Sequence, residues 1–450
     1  MANAIRFPAE IEPLVHFVEE TPSEQIVEQT VTRLREGTSP DRMMTALALA
    51  VVRSTEMPFV HHGGPLHPVA ALHSIRGTMT RLPETGRLLP LVQDVALANA
   101  HIHDAISGPY LMPEIDPIGE GTVEATREAF FGCLRRNYTS AAEHYFLWLL
   151  DRAPRQVALE ALVSVAVDNY RFDEHKLIAA VNSIRLLDHL GWDLAEVILR
   201  PVVRYNFMPS VWAKAAPAED VERLMRDKQL DAAGAGKASG EQGFSSLSED
   251  LLSAPLEEQT EVIAAGLSNG MSLADAGKGI SLTASEVFVR GESTNPMGIH
   301  AMTGANALRW VCERFPEVGM KGLLLWPRGP ETESGASLQP SSLSSDGSSL
   351  DAIREAIEEN DSGRTVACTH DYCASGGDVA DLARELGWWA ARDGATEMHG
   401  VKHHQAMVEE YENGKAPVHL VAQAREASLH AHRDVEVSDR FTDRMRPGTN

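Results

Sequence analysis

The helical character of the chain is clearest at residues 23–56, SEQIVEQTVTRLREGTSPDRMMTALALAVVRSTE. Apolar side chains recur every three or four positions in each half of this stretch, which is the spacing of one buried helix face. We expect Ser23 to cap the first helix and Gly37 to end it. Pro40 stands where a second helix would start, a position that tolerates proline because the first-turn N–H needs no helical acceptor. The stretch therefore predicts two consecutive amphipathic helices.

The same spacing continues along most of the chain, and strand-like alternation is scarce. Connections such as NYTS (137–140) are short, which favours antiparallel neighbours. We therefore expect an all-α protein built as a large multi-helix bundle. Further helices are predicted near residues 67–81, 87–106, 122–137, 139–152, 154–170, 173–190, 193–206, 249–268, 271–289, 297–315, 350–360, 376–392, 397–413 and 417–433.

At 450 residues the chain is long for one compact core, so we expect either two helical lobes around a central metal site or one large helical body with insertions. Residues 232–247 are rich in Gly, Ala and Ser, as a flexible linker or surface loop would be. This stretch would separate an N-terminal helical lobe (1–231) from a C-terminal one (248–450). A second such stretch, 328–349, is predicted to be a disordered insert, and the polar tail at 438–450 to be frayed.

Charge and composition argue against several classes of partner. The chain carries 64 acidic and 40 basic side chains, a net charge of −24, so a nucleic-acid backbone would be repelled. No apolar run reaches the roughly 20 residues that a membrane-spanning helix needs. The start MANAIRFPAEIEPLVHF lacks the charged and apolar segments of a signal peptide, and the four cysteines have no CxxC spacing. We expect a cytoplasmic protein that binds neither nucleic acid nor membrane.

The chain has 18 histidines, and most form short bursts within helix-patterned segments, beside acids, glycines and a lysine. Neutral imidazole is the commonest metal ligand, with a lone pair that suits Fe, Zn, Cu and Ni. A single histidine is more often a helix cap or boundary residue, but repeated bursts favour a metal site. The bursts lie in FVHHGGPLHPVAALHSIRG (59–77), NAHIHDAIS (99–107), AAEHYFLWLL (141–150), RFDEHKLIAA (171–180), MGIHAMTGANALRWV (297–311) and TEMHGVKHHQAM (396–407).

Position within each burst narrows the choice of ligands. The glycine pair in the first burst allows a tight turn that can bring His62 and His67 to one point. His300 stands at a helix start, where the helix dipole disfavours the protonated ring and keeps it in the form that a metal needs. Asp173 precedes a helix and suits an N-cap better than a ligand. The candidate metal ligands are His62 or His67, His144 or His175, His300 and His399.

Lys402 lies one helical turn after His399, on the face that also carries His403. A protonated amine repels a cation and has no lone pair, so a buried lysine at a metal would be neutral or modified. One such modification is carboxylation to an anionic carbamate that can ligate. We therefore include Lys402 as a candidate metal ligand and catalytic residue. A polar helix face in water is the alternative interpretation of the same pattern.

Other catalytic machineries are not indicated by the sequence. The glycine-containing segments do not give GxGxxG after a strand, nor a phosphate loop ending in Lys-Ser or Lys-Thr. The GxSxG elbow of serine hydrolases and the HExxH pattern of zinc proteases are absent. The chain also lacks the repeated ExxH pair of di-iron helical bundles.

Three segments resemble the histidine-bearing helices of the questin oxidase-like family: HHGGPLHPVAALHS (61–74), GIHAMTGANALRWVCERFP (298–316) and EMHGVKHHQAM (397–407). The resemblance implies an all-α oxygenase that acts on anthraquinone-type polyketides. It also implies a non-haem iron held by histidines and a carboxylated lysine, with Lys402 as that lysine and His300 as one ligand.

We expect a mononuclear non-haem Fe(II) oxygenase that acts with dioxygen on a hydrophobic, aromatic or polyketide-type small molecule. A monooxygenase would also need an external reductant such as NADPH. Two alternatives stay open. One is a helical scaffold or binding protein in which the histidines are structural, and the other is a zinc-dependent hydrolase.

Overall fold

The computed structural model describes residues 4–56, 64–105, 110–136, 138–208, 218–232, 236, 241–291, 298–329, 332–335 and 347–446. Within these ranges the chain forms 22 α-helices and no strand. The one extended pairing among them is an isolated antiparallel bridge between Ala4 and Pro113. The prediction of an all-α multi-helix bundle is confirmed.

The helices follow one another in the order α1 (Glu12–Glu20), α2 (Ile26–Arg35), α3 (Pro40–Ser54), α4 (His67–Arg81), α5 (Leu89–His103), α6 (Val123–Arg136), α7 (Thr139–Arg152), α8 (Arg155–Asn169), α9 (Glu174–Leu190), α10 (Ala195–Phe207), α11 (Ala218–Asp227), α12 (Glu241–Ser253), α13 (Gln259–Ser268), α14 (Leu273–Arg290), α15 (Ile299–Arg314), α16 (Pro316–Leu325), α17 (Leu350–Glu358), α18 (Ser362–Ala374), α19 (Val379–Arg392), α20 (His399–Gly414), α21 (Val418–His430) and α22 (Glu436–Met445).

Local capping chemistry explains where several helices begin. The Ser39 hydroxyl accepts the backbone N–H of Arg42 at 3.3 Å, which caps α3 just before Pro40. The predicted cap at Ser23 is wrong. Helix α2 begins only at Ile26, and the Ser23 hydroxyl instead donates to the Asn99 side chain at 2.8 Å. A tertiary hydrogen bond has therefore replaced the expected local one.

Four helices in the middle of the bundle form a closed ring. Helix α4 packs against α9, α9 against α15, α15 against α20, and α20 back against α4. Helix α9 is buried along most of its length, with Leu177, Val181 and Ile184 fully inaccessible. These four helices begin at residues 67, 174, 299 and 399, so segments far apart in sequence meet at the centre.

The buried core is continuous over much of the molecule. One large cluster of apolar side chains includes Val15, Leu162, Leu308 and Met407, which come from both of the predicted lobes. A smaller cluster lies among α17, α18, α19 and α21. The division into lobes at 231 and 248 stays a prediction.

The two glycine-rich stretches are only partly described. Residues 241–247 of the predicted linker form the first half of α12, and the predicted helix 249–268 is interrupted after α12 at Pro255. In the predicted insert 328–349, residues 330–331 and 336–346 lie outside the described ranges.

The expectation of a frayed tail at 438–450 is wrong for its first half. Residues 436–445 form α22, which packs against α2 and α5. Phe441 is 1% exposed, and the Arg440 guanidinium pairs with Glu28 on α2 at 2.7 Å. An apolar anchor and an ion pair thus hold a segment of polar composition. None of the described helices combines the length and apolar character that crossing a membrane requires.

Candidate metal centre

Four histidines meet inside the ring of α4, α9, α15 and α20. His67 and His399 are the first residues of α4 and α20, while His175 and His300 are the second residues of α9 and α15. All four are buried, with exposures of 4%, 5%, 4% and 1%. Their ring centroids lie 4.3 Å (His175 to His300), 4.6 Å (His67 to His399) and 4.8 Å (His300 to His399) apart. We call this group the four-histidine cluster.

Three of these rings are placed so that they can hold a metal ion. One potential ligand atom from each of His67, His175 and His399 lies within 4.8 Å of the others. The closest approach joins the Nε2 atoms of His175 and His399, which are 3.0 Å apart. Whether that contact is favourable depends on which ring nitrogens carry protons.

The His399 ring has its proton on Nδ1. That nitrogen contacts the backbone carbonyl oxygen of Thr396, which can only accept a hydrogen bond. Burial lowers the pKa of His399 well below its usual value, and the nearby Lys402 charge lowers it further, so the ring is neutral. A neutral ring protonated at Nδ1 presents a bare lone pair at Nε2. This lone pair points at His175.

The His175 ring is oriented in the same way by an acid. Asp173 is the N-cap of α9, as predicted, because its Oδ1 accepts the backbone N–H of His175 at 3.0 Å. The same oxygen lies 3.1 Å from Nδ1 of the His175 ring, and the Tyr205 hydroxyl donates to Oδ2. A carboxylate accepts, so Nδ1 donates and Nε2 again carries the lone pair.

Two lone pairs therefore face each other across 3.0 Å in a buried space. Such a contact is repulsive unless a positive charge lies between or beside the two nitrogens. A bound metal ion would supply that charge. Histidine ligands held through their second nitrogen by a carboxylate or carbonyl are the usual arrangement in metal sites.

His67 repeats the pattern from α4. Its Nδ1 contacts a carboxylate oxygen of Glu397, while its Nε2 is buried and makes no hydrogen bond to any described residue. Burial lowers the pKa of His67 well below its usual value, with a further contribution from Lys402. Glu397 and Met398 have positive φ angles of 51° and 63°, so the backbone is left-handed just before α20. This turn brings the Glu397 carboxylate to His67.

Lys402 lies beside the cluster, one turn along α20 from His399. Lys402 is 5% exposed. Burial lowers the pKa of its amine to about 7, although the negative charges of Glu397 and Asp94 act to raise it. Asp94 on α5 is fully buried, and burial raises its pKa well above the usual value. The amine is thus held in an environment that favours its neutral form.

An apolar cleft opens next to His300. Gly298 and Ala301, which flank His300 at the start of α15, form part of its wall. Phe288 and Trp326 form other parts, and the Trp326 indole N–H is held by the Ala301 carbonyl at 3.0 Å. The cleft has a volume of about 30 Å³, roughly the space of one water molecule, and lies against the turn that carries His300.

The structure brings most of the predicted site residues together: His67, His175, His300, His399 and Lys402. His144 does not join them. Its Nδ1 contacts the carbonyl oxygen of Asp116 at 2.6 Å, and α7 packs against α6, α8 and α10, none of which carries a cluster histidine. His62 lies outside the described residues.

Two acids of the site, Glu397 and Asp94, are not among the residues that the sequence predicts for it. Glu397 stands two residues before His399 within a histidine burst, but only the left-handed turn shows that it faces His67. Asp94 interrupts the apolar run LPLVQDVALANA, and a lone acid in such a run is a recognisable signal of a buried polar role.

No protein-family model, curated protein or solved structure matches the chain.

Proposed function

We propose that the four-histidine cluster holds one iron ion, and that the chain is a non-haem iron oxygenase similar to the questin oxidase-like family. Its substrates would be dioxygen and a hydrophobic, aromatic or polyketide-type small molecule. The observation that carries the proposal is the pair of Nε2 lone pairs of His175 and His399 facing each other at 3.0 Å, with both Nδ1 atoms held by oxygen acceptors.

The donor set fits a redox metal with an open position. Neutral imidazoles suit iron, copper and zinc, and the three rings whose ligand atoms converge, those of His67, His175 and His399, would leave other positions of an octahedral ion open. When bound, iron would supply the electrons that dioxygen activation requires. The residues of the chain hold the rings neutral and fix their orientation, since Asp173, Glu397 and the Thr396 carbonyl each engage one Nδ1.

Helix dipoles support a role for an anion at this centre. All four rings sit in the first turns of their helices, where the positive ends of the dipoles favour negative charge. We propose that Lys402 supplies it as a carbamate. A neutral amine attacks carbon dioxide, a nitrogen–carbon bond forms, and one proton leaves. The pKa of about 7 provides the neutral amine that this reaction needs.

Apolar side chains beside His300 would suit an aromatic substrate, but one could enter only if the cleft widened beyond its volume of about 30 Å³. Its apolar walls include Val287, Phe288 and Trp326, and flat apolar rings stack well on such side chains. The Arg425 guanidinium lies 4.8 Å from the Phe288 ring centroid and also lines the cleft. A cation at this position would favour a substrate with an acidic hydroxyl or carboxyl group.

Metal analysis combined with oxygen consumption tests the proposal. The protein is loaded with Fe(II) without oxygen, freed of excess metal, and mixed with hydroxyanthraquinones in an oxygen electrode, with and without NADPH. We expect about one iron per chain at the cluster and substrate-dependent oxygen uptake. His399→Ala should lose iron and activity, whereas the matched control His144→Ala should keep both.

A zinc-loaded sample distinguishes a zinc-dependent hydrolase from the proposed oxygenase. The test is needed because three histidines are also a known donor set for catalytic zinc. Hydrolysis of ester substrates by the zinc form, without oxygen uptake by the iron form, would contradict the oxygenase proposal. Equal iron content in His399→Ala and wild type, with circular dichroism confirming both folds, would contradict the metal site itself.

A further inference from the structure

A second and much larger cavity lies beside the N-terminal helix, apart from the cleft at His300. It has a volume of about 920 Å³, and we call it the N-terminal cavity. Its walls are the chain just before α1, one face of α1, the last turns of α3 and α5, and residues 110–111. Sites for small molecules usually have volumes of about 300–1,000 Å³. This cavity can therefore take a molecule of several rings without any widening.

Backbone hydrogen bonds hold the walls of the N-terminal cavity in place. The Ile5 N–H donates to the Met112 carbonyl at 2.9 Å, and the Met112 N–H donates to the Arg53 carbonyl at 2.8 Å. Met112 is 1% exposed, whereas the preceding Leu111 is 56% exposed and lines the cavity. Leu111 is therefore presented to the cavity by a segment that is fixed on both sides.

The apolar part of the lining comes from three segments of the chain. It consists of Ile5, Phe7, Ile102, Tyr110 and Leu111. The Arg53 guanidinium lies 4.8 Å from the Phe7 ring centroid, and the Arg204 guanidinium lies 5.3 Å from that of Tyr110. These contacts hold both aromatic rings in position. Flat apolar molecules pack well on such side chains, so the lining favours an aromatic ligand.

The polar part of the lining is mainly the face of α1 that carries Glu12, His16, Glu19 and Glu20. The Arg53 guanidinium donates to both oxygens of Glu19, at 2.8 and 2.6 Å, and also to Glu12. The two ring nitrogens of His16 lie 3.2 Å from Glu12 and 3.0 Å from Glu20. Carboxylate oxygens only accept hydrogen bonds, so a ligand at this face must donate them.

The charges around the cavity nearly balance. Its lining holds three carboxylates and the guanidinium groups of Arg6 and Arg53. An anionic ligand would therefore be repelled by the excess of negative charge. An ammonium group would lose its hydration beside carboxylates that already have cationic partners. A hydroxyl group costs less to bury and can still donate to a carboxylate, so the lining favours a neutral hydroxylated molecule.

Helix α5 relates the N-terminal cavity to the four-histidine cluster. Ile102 lines the cavity, and the adjacent His101 is close enough to His67 to contribute to its lowered pKa. The short turn Gly64–Leu66, directly before His67, contacts both α3 and α5. The cavity and the cluster therefore lie at the same end of α5.

We propose that the N-terminal cavity binds a neutral hydroxylated aromatic molecule with fused rings. The rings pack against Phe7, Tyr110 and Leu111, and a hydroxyl group donates to the carboxylates of α1. Binding by the metal-free protein is independent of the proposed oxygenase activity. The assignment of the bound molecule as the substrate rests on the proposed function.

A fluorescence titration of the metal-free, full-length chain with dihydroxynaphthalene tests the site. Leu111→Glu should raise the dissociation constant about tenfold, because it removes an apolar contact and adds negative charge near the α1 acids. The matched control Ile118→Glu changes a side chain that is similarly exposed, at 50%, but does not line the cavity, and it should bind as wild type does. Naphthoate, which is anionic, should bind about tenfold more weakly than the diol to wild type. Circular dichroism establishes that each variant is folded, and Leu111→Ser replaces Leu111→Glu if the latter does not fold.

The other outcomes separate this site from the proposed function. Equal affinity of wild type and Leu111→Glu, or equal losses in Leu111→Glu and Ile118→Glu, overturns the cavity as the binding site. Naphthoate binding as tightly as the diol overturns the neutral ligand class. Binding that Leu111→Glu loses, in a protein that takes up no iron, supports the cavity and overturns only the oxygenase. Oxygen uptake with the diol that Leu111→Glu leaves unchanged overturns the assignment of this molecule as the substrate.

Discussion

Asp173 performs two tasks that substitution can separate. Its Oδ1 caps α9 through the backbone N–H of His175 and also engages Nδ1 of the His175 ring. Asparagine caps a helix about as well as aspartate, but its neutral amide oxygen is a weaker acceptor for a ligating imidazole. Asp173→Asn should therefore keep the fold and weaken the metal site.

Substitution of Asp173 should change the metal affinity and the free energy of unfolding by different amounts. Loss of a carboxylate that orients a ligating histidine typically weakens metal binding about 10- to 100-fold, or about 1.4–2.7 kcal/mol. The free energy of unfolding of the metal-free Asp173→Asn protein should stay within about 1 kcal/mol of wild type, because the cap remains. Asp173→Ala should lose about 1 kcal/mol for the cap. It should lose about 1–3 kcal/mol more because the buried Tyr205 hydroxyl no longer has this acceptor.

Two measurements on the same samples check this reasoning. Competition with a chromophoric chelator gives the metal dissociation constant, and urea unfolding of metal-free protein gives the free energy of unfolding. Asp173→Asn and Asp173→Ala should both lose affinity, but only the alanine variant should lose substantial stability. If Asp173→Asn binds metal within twofold of wild type, the carboxylate does not orient a ligand and the argument for the Nε2 lone pair of His175 fails.

Two further predictions concern packing and pH. Gly319→Ala should destabilise the protein by about 1–3 kcal/mol in urea unfolding, because the added Cβ would lie 2.5 Å from a backbone atom of α15 that cannot swing aside. Gly414→Ala, which meets nothing within 4 Å, is the control, and an equal loss there would contradict the packing argument. Burial raises the pKa of Glu409, but hydrogen bonds from His73 and Arg185 outweigh it and leave the pKa below the ordinary 4.5. The stabilisation by this carboxylate is therefore complete above pH 4.5 and is lost as the pH falls towards the folded-state pKa. Glu409→Gln should be destabilised by about 3–5 kcal/mol at neutral pH, with a deficit that shrinks in acid. A pH-independent deficit in urea unfolding would count against this account.

The helices that local signals specify were the easiest to predict. The predicted bounds 67–81 and 139–152 coincide with α4 and α7, and the proline start of α3 is correct. Failures occurred where tertiary contacts decide the outcome. The Ser23 hydroxyl bonds Asn99, which is distant in sequence, and α22 is held by Phe441 and Arg440 rather than by its own composition.

Prediction of the candidate site from the sequence was also limited by tertiary contacts. Histidine bursts identified the segments, yet His144 and His175 both follow an acid in a helix-patterned segment and look alike in sequence. They differ because α9 belongs to the central ring, whereas α7 packs against α6, α8 and α10. The contact of Glu397 with His67 joins residues 330 positions apart, which no local pattern encodes.

The spread of the four histidines from residue 67 to residue 399 has a consequence for biosynthesis. Domains begin to fold from the N-terminal side while the ribosome is still adding residues. Helix α4 leaves the ribosome about 330 residues before its partner α20. Any ion held by His67, His175 and His399 together would therefore be bound only after α20 has been made, and a nascent chain interrupted before α20 would lack one of these three ligands.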